Sequence, residues 1–129
     1  MADKVLVILE KPIYLSFEPV DPHLFATAFG VADTPVEIGV LLRDSAVNYA
    51  VKDQDTRNVR IAGLDVLEVD VTPAKMIEFI LRHGASVAAS GDDLAARGID
   101  PSDLVDGVKV IGREDLASLV EENDAVVVW

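Results

Sequence analysis

Hydrophobic positions along the chain fall into short, nearly unbroken runs, separated by stretches in which they recur every three or four residues. Val5-Leu6-Val7-Ile8-Leu9 and Val36-Glu37-Ile38-Gly39-Val40-Leu41-Leu42 are runs of the first kind, as are Val108-Lys109-Val110-Ile111 and Ala125-Val126-Val127-Val128. Such β-branched runs predict strands covered on both faces, the pattern of a parallel sheet. Val87-Ala88-Ala89 predicts a shorter strand.

The helical periodicity lies between these runs. Leu24, Phe25, Ala28 and Phe29 follow Asp21-Pro22, an N-cap and a first-turn proline. Thr72-Pro73 opens a helix over Ala74 to Arg82 with Met76, Ile77, Ile80 and Leu81 on one stripe, and Gly84 stops it. The acids of Gly91-Asp92-Asp93 favour a helix start through Leu94 to Arg97. Leu116, Leu119 and Val120 form the stripe of a last helix that begins at Arg113-Glu114-Asp115 and closes at Glu121-Glu122-Asn123-Asp124. Strands alternating with helices predict a single domain over residues 1–129: a flavodoxin-like α/β three-layer sandwich with a mostly parallel five-stranded sheet. The stretch from Val59 to Val71 fits either a loop crossing or an extra edge strand.

Charge narrows the function. The 129 residues carry 23 acids against 11 Lys and Arg, a net charge of −12, which argues against direct nucleic-acid binding, since a polyphosphate backbone is held by clustered cations. The ordinary consequence of such acidity is solubility and self-repulsion, with a surface for a basic partner as the rarer use. The first apolar run is short and broken by Glu10, Lys11 and Pro12, and no run approaches the ~20 residues of a membrane span. A cytoplasmic protein without membrane contact is therefore expected. There is no cysteine, so a disulfide framework, a thiolate metal ligand and a persulfide carrier are all beyond this chain's own side chains.

In a sheet of this kind ligands bind beyond the carboxyl ends of the strands, which directs attention to the loops after Leu9, Leu42 and Ala89. The first, Glu10-Lys11-Pro12-Ile13-Tyr14-Leu15-Ser16, lacks the glycines of a phosphate-cradling turn. Response-regulator chemistry is disfavoured too, since it needs an acidic pair after the first strand, a central acceptor Asp and a late Lys. His23 and His83 share no metal-ligand spacing, and His83 sits where a helix C-terminus favours positive charge. No metal or cofactor is expected. Asp92 and Asp93 have the chemistry of a general acid and base, but adjacent acids at a helix start are first of all capping groups. Ser16, Ser45 and Ser90 have no histidine near them in sequence to activate a hydroxyl.

Several segments, in order, resemble the DsrE/DsrF/TusC sulfur-relay family, most closely its DsrF/TusC branch. Lys11-Pro12-Ile13-Tyr14 is similar to the basic residue, Pro and Tyr that follow the first strand there. Residues Val40 to Gln54 resemble a strand, an Asp-Gly-Val turn and a helix ending in Lys-Gly-Gln. Ala96-Arg97-Gly98-Ile99, Asp103 to Leu116 and the aromatic end at Trp129 follow the family as well. The departures are the missing Gly after Ile13-Tyr14 and the presence of Ser45 and Asp53 where the family has glycines.

The resemblance implies a carrier cysteine, in DsrE-type members, in the loop after the strand over Val87 to Ala89. Here the chain reads Ala88-Ala89-Ser90-Gly91-Asp92, and a serine holds no persulfide. The resemblance therefore implies the DsrF/TusC condition: a non-catalytic subunit, homo-oligomeric or hetero-oligomeric with DsrE-like and DsrH-like partners, supporting persulfide transfer in tRNA thiolation or sulfur oxidation. Leu15, Phe17, Tyr49 and Trp129, near predicted loops or ends, are candidates for an apolar contact patch, with core filling as the alternative for each. A second reading is a homo-oligomeric small-ligand-binding module whose pocket is formed by Lys11, Tyr14, Arg43 and Ser90. An enzyme built on Ser90 with Asp92 or Asp93 is the least supported, because no positioned base is in view.

Overall fold

The computed structural model describes residues 4–11, 36–54, 60–61, 64–65 and 73–128. Its strands, in chain order, are β1 (Lys4–Leu9), β2 (Glu37–Leu42), β3 (Arg60–Ile61), β4 (Leu64–Asp65), β5 (Ser86–Ser90), β6 (Lys109–Ile111) and β7 (Ala125–Val128). The α-helices are α1 (Pro73–Arg82), α2 (Gly91–Ala96) and α3 (Arg113–Glu121), joined by 3-10 helices at Asp44–Ala50 and Pro101–Asp103. The helix expected around Leu24 to Phe29 lies outside the described residues.

Five strands form one sheet in the order β6-β5-β2-β1-β7, and every neighbouring pair is parallel. The expected α/β class with a parallel five-stranded sheet is what the chain adopts. Numbered along the chain within this sheet the order is 4-3-2-1-5, where flavodoxin itself runs 2-1-3-4-5. The chain steps from β1 to β2, β5 and β6 in one direction, then returns across the sheet to place β7 on the far side of β1. Within the stretch from Val59 to Val71, β3 and β4 pair antiparallel with each other, and neither joins the main sheet.

Register explains how both faces become apolar. Val7, Val40 and Val87 lie side by side, as do Ile8, Leu41 and Ala88, and successive rows point to opposite faces. The first face packs against Ile77 and Ile80 of α1, Val47 and Tyr49 of the first 3-10 helix and Leu94 of α2. The second carries Leu6, Ile8, Leu41 and Ala88 beneath Leu116 and Leu119 of α3. Right-handed crossovers account for this division, since connections running in opposite directions along a sheet fall on opposite faces. Each fully buried aliphatic side chain contributes about 1.5–3 kcal/mol.

The local punctuation is as expected at α1. Pro73 is its first residue, and Gly84, at φ 90°, lies in the left-handed region that ends helices. His83 holds the helix end, with Nδ1 2.8 Å from the Phe79 carbonyl oxygen and its ring 4.1 Å from that of Phe79.

Two expectations are corrected. β6 and β7 are not covered on both faces: they are the sheet's edges, and Val110, Val126, Val127 and Val128 are exposed. An apolar run looks the same in a central strand and in an edge strand, and only the strand order separates them. Tyr49 is no contact-patch residue, because the 3-10 helix turns it into the core, where it is fully buried. Leu15, Phe17 and Trp129 lie outside the described residues.

Burial pushes the Tyr49 hydroxyl up from 10.0 to about 12. An acid whose folded pKa is raised stabilises the fold below its unfolded pKa, and that contribution disappears as pH rises through the folded value. About 3 kcal/mol is therefore expected to vanish between pH 10 and pH 12. Denaturant titrations of wild type and Tyr49→Phe across this range check it: the variant is expected to lack this component of the alkaline loss.

Candidate functional site

β1, β2 and β5 are neighbours, so the segments leaving their carboxyl ends meet. β1 delivers Glu10 and Lys11, β2 delivers Arg43, Asp44 and Ser45, and β5 ends on Ser90, from which α2 starts. Ser90 is 5% exposed, and its hydroxyl caps α2 by accepting the Asp93 N–H at 3.4 Å. Asp93, in the first turn of α2, reaches across to β2, where its Oδ2 accepts the Asp44 N–H at 2.9 Å.

The backbone at the donor of that bond is unusual. Asp44 sits at φ 49°, a left-handed conformation that aspartate tolerates better than most side chains. Arg97, at the end of α2, completes the tie: its Nη2 pairs with Asp44 Oδ1 and donates to Ser45 Oγ at 3.4 Å, while Nη1 lies 3.9 Å from Asp93 Oδ1. Arg43 turns to Glu10, with Nη1 3.3 Å from Oε1, and Arg113 reaches Asp92 at 3.3 Å.

Asp93 is the hub. Partial burial pushes its carboxyl up, but the Asp44 N–H, the Ser90 hydroxyl and the charges of Arg97 and Arg43 together outweigh this and hold it below the usual carboxylate range. A carboxylate so stabilised is a poor proton acceptor. Ser90 therefore has a capping role, and Asp93 is no base poised to activate it. His83 is no substitute, because it follows α1 at the amino end of β5.

Of the four pocket candidates, Ser90 and Arg43 are brought to the same end of the sheet, where both act on Asp93, and Lys11 is exposed just beyond β1. Tyr14 lies outside the described residues. Of the residues that organise this end, Asp93 reads in the sequence only as a capping or acid–base group, and Asp44 and Arg97 are not singled out there as site residues. Their signal was in the chain all the same: Asp44 and Arg97 belong to two of the stretches that carry the family resemblance, and the ion pair joins those stretches in space. The third stretch is joined to the first by backbone, with Lys52 N–H donating to Asp103 O at 2.9 Å and Val105 N–H to Ala50 O at 2.8 Å.

An open groove of about 460 Å³ lies elsewhere, between Lys52 and Asp53, the last turns of α1 and Val105-Asp106. Among the described residues no cluster of His, Cys, Asp and Glu could hold a metal ion, and no helix is long and apolar enough to cross a membrane.

Residues 3–129 match the DsrE/DsrF-like family. The chain belongs to that family. The ychN protein of E. coli has a similar fold, at a TM-score of 0.75 with 17% identity, over 98% of this chain and 99% of that one. So does MTH1491 of Methanobacterium thermoautotrophicum, a protein of unknown function, at 0.64 and 19% over 98% and 97%. In sequence, the uncharacterised protein MJ0989 of Methanocaldococcus jannaschii is 29% identical over 94 residues, 73% of each chain. This DsrE/DsrF-like chain thus shares the family's fold over nearly its full length while having no cysteine at any position.

Asp93→Asn is expected to destabilise the protein by about 0.5–1 kcal/mol at neutral pH, since it removes the charge of the group that accepts the solvent-exposed Asp44 N–H bond and faces Arg97. A carboxyl with a lowered folded pKa stabilises above its unfolded value and loses that contribution as pH falls through the folded one. The gap between variant and wild type, read by urea denaturation, should close as pH drops below about 3.9.

Proposed function

We propose that this chain is a non-catalytic subunit of a sulfur-relay assembly, supporting persulfide transfer on the cysteine of a DsrE-like partner. One observation carries the reading. In the neighbourhood to which the resemblance assigns the carrier cysteine, Ala88 to Asp92, the chain has Ser90, buried and engaged as the cap of α2, in a sequence with no cysteine anywhere. A hydroxyl forms no persulfide, so the sulfur must travel on another chain. Membership of the DsrE/DsrF-like family supports the connection with sulfur relay at the level of the family. The absence of the carrier supports the narrower assignment to a DsrF/TusC-like role, with DsrE-like and DsrH-like subunits as partners.

In this role the carboxyl end of the sheet supplies shape and charge. The ties among Ser90, Asp93, Asp44 and Arg97, together with the Arg43–Glu10 pair, link the three adjoining segments, as a docking surface requires. Lys11 puts a cationic group at the rim, where it favours the thiolate of a neighbouring cysteine over its thiol. The alternative, a small-ligand pocket at Lys11, Tyr14, Arg43 and Ser90, is less well supported, because Arg43 and Ser90 already have partners within the chain.

Purification of the tagged protein from its native extract without reductant, followed by mass spectrometry, tests this. Stoichiometric recovery of a cysteine-bearing DsrE-like chain is the expected result, and recovery of this chain only with itself would favour the ligand-binding module. In the recovered assembly Ser90→Ala should cost about 1 kcal/mol of subunit stability through the lost cap and leave persulfide transfer on the partner unchanged. Complete loss of transfer in an intact assembly would overturn the proposal.

A further inference from the structure

The two edges of the sheet are finished differently. β6 has three residues, one of them Lys109, and short length and an edge lysine are common defences against pairing with another chain. β7 is Ala125-Val126-Val127-Val128, four residues with neither charge nor proline, and among the described residues it pairs only with β1. Val126, Val127 and Val128 are 39%, 44% and 58% exposed. Val126 lies beside Leu6 and Val127 beside Val7, so the exposed valines fall on both faces of the sheet. Among the described residues this is an open strand edge, with a residue type well suited to β pairing.

Charge indicates what completes it. The end of α3 and the turn into β7 carry Glu121, Glu122 and Asp124 with no Lys or Arg among them, Asp124 accepting the Lys4 N–H. Lys4, beside Asp124, is drawn towards Glu37. A second copy, itself at −12, would bring like charge against this region, whereas a basic segment would neutralise it.

We propose that the free edge of β7 receives an extended, lysine- or arginine-rich segment of a partner protein, which continues the sheet beyond β7. Main-chain hydrogen bonds to the edge supply affinity, the valines take alternate apolar side chains, and the acids of α3 select cations. This docking is independent of the sulfur-relay reading, since it calls for a basic strand and no thiol.

Two synthetic peptides serve as probes, one alternating valine with lysine and the other valine with glutamate, followed by amide NMR shifts of the full chain. The lysine peptide is expected to bind at least about tenfold more tightly, with shifts centred on Val126 to Val128. That preference should shrink between about 0.1 M and about 1 M salt, as the screening length falls from about 10 Å to about 3 Å. Val127→Lys with Val128→Lys should abolish binding with the circular dichroism unchanged. If that pair fails to fold, Glu121→Gln with Glu122→Gln should weaken the lysine peptide alone. Equal binding of the glutamate peptide, or shifts centred away from β7, would overturn the proposal. So would a dimer in sedimentation equilibrium that the valine substitutions split, because the edge would then belong to a second copy.

Discussion

A parallel strand in the middle of a sheet has to pair its backbone on both sides and cover side chains on both faces, and the rest of this structure depends on β1, β2 and β5 meeting that demand. Their aligned rows, Val7-Val40-Val87 on one face and Ile8-Leu41-Ala88 on the other, leave two apolar surfaces. The first is covered by α1, α2 and the Asp44–Ala50 3-10 helix, and the second by α3. Tyr49 shows how firmly coverage constrains the chain: a side chain with a hydroxyl is turned fully inward because the short 3-10 helix lies directly over the sheet.

The same alignment creates the candidate site. Three adjacent parallel strands release their chains at one end, so Glu10, Arg43 and Ser90, far apart in sequence, start from neighbouring positions. Asp93 then binds that end together, with its carboxylate on the Asp44 N–H and its own N–H on Ser90. Rigidity and function are connected here. A serine that caps a helix and touches a stabilised carboxylate is a structural group, which supports the proposed non-catalytic role.

Much of this was legible in the residues. Pro73 and Gly84 delimit α1 because a fixed φ and a left-handed φ are local properties, and the stripe of Ile77 and Ile80 gave the helix its buried side. Asp92 and Asp93 were readable as residues of a helix start. What Asp93 holds was not, since its partner Asp44 is 49 residues away and no local pattern encodes that distance. The valines of β7 misled for a related reason: three β-branched residues in a row announce a strand and say nothing of how many neighbours it has.

By itself, the sequence determined the α/β class, the main strands and helices of the described residues, the acidity and the impossibility of a persulfide on this chain, because periodicity, charge and side-chain chemistry are carried residue by residue. Only the tertiary structure decided that β7 is an edge, that Tyr49 is core, and that Ser90, Asp44, Asp93 and Arg97 form one cluster. Those are consequences of strand order and register, which arise from the free energy of packing the whole chain and are written in no single segment of it.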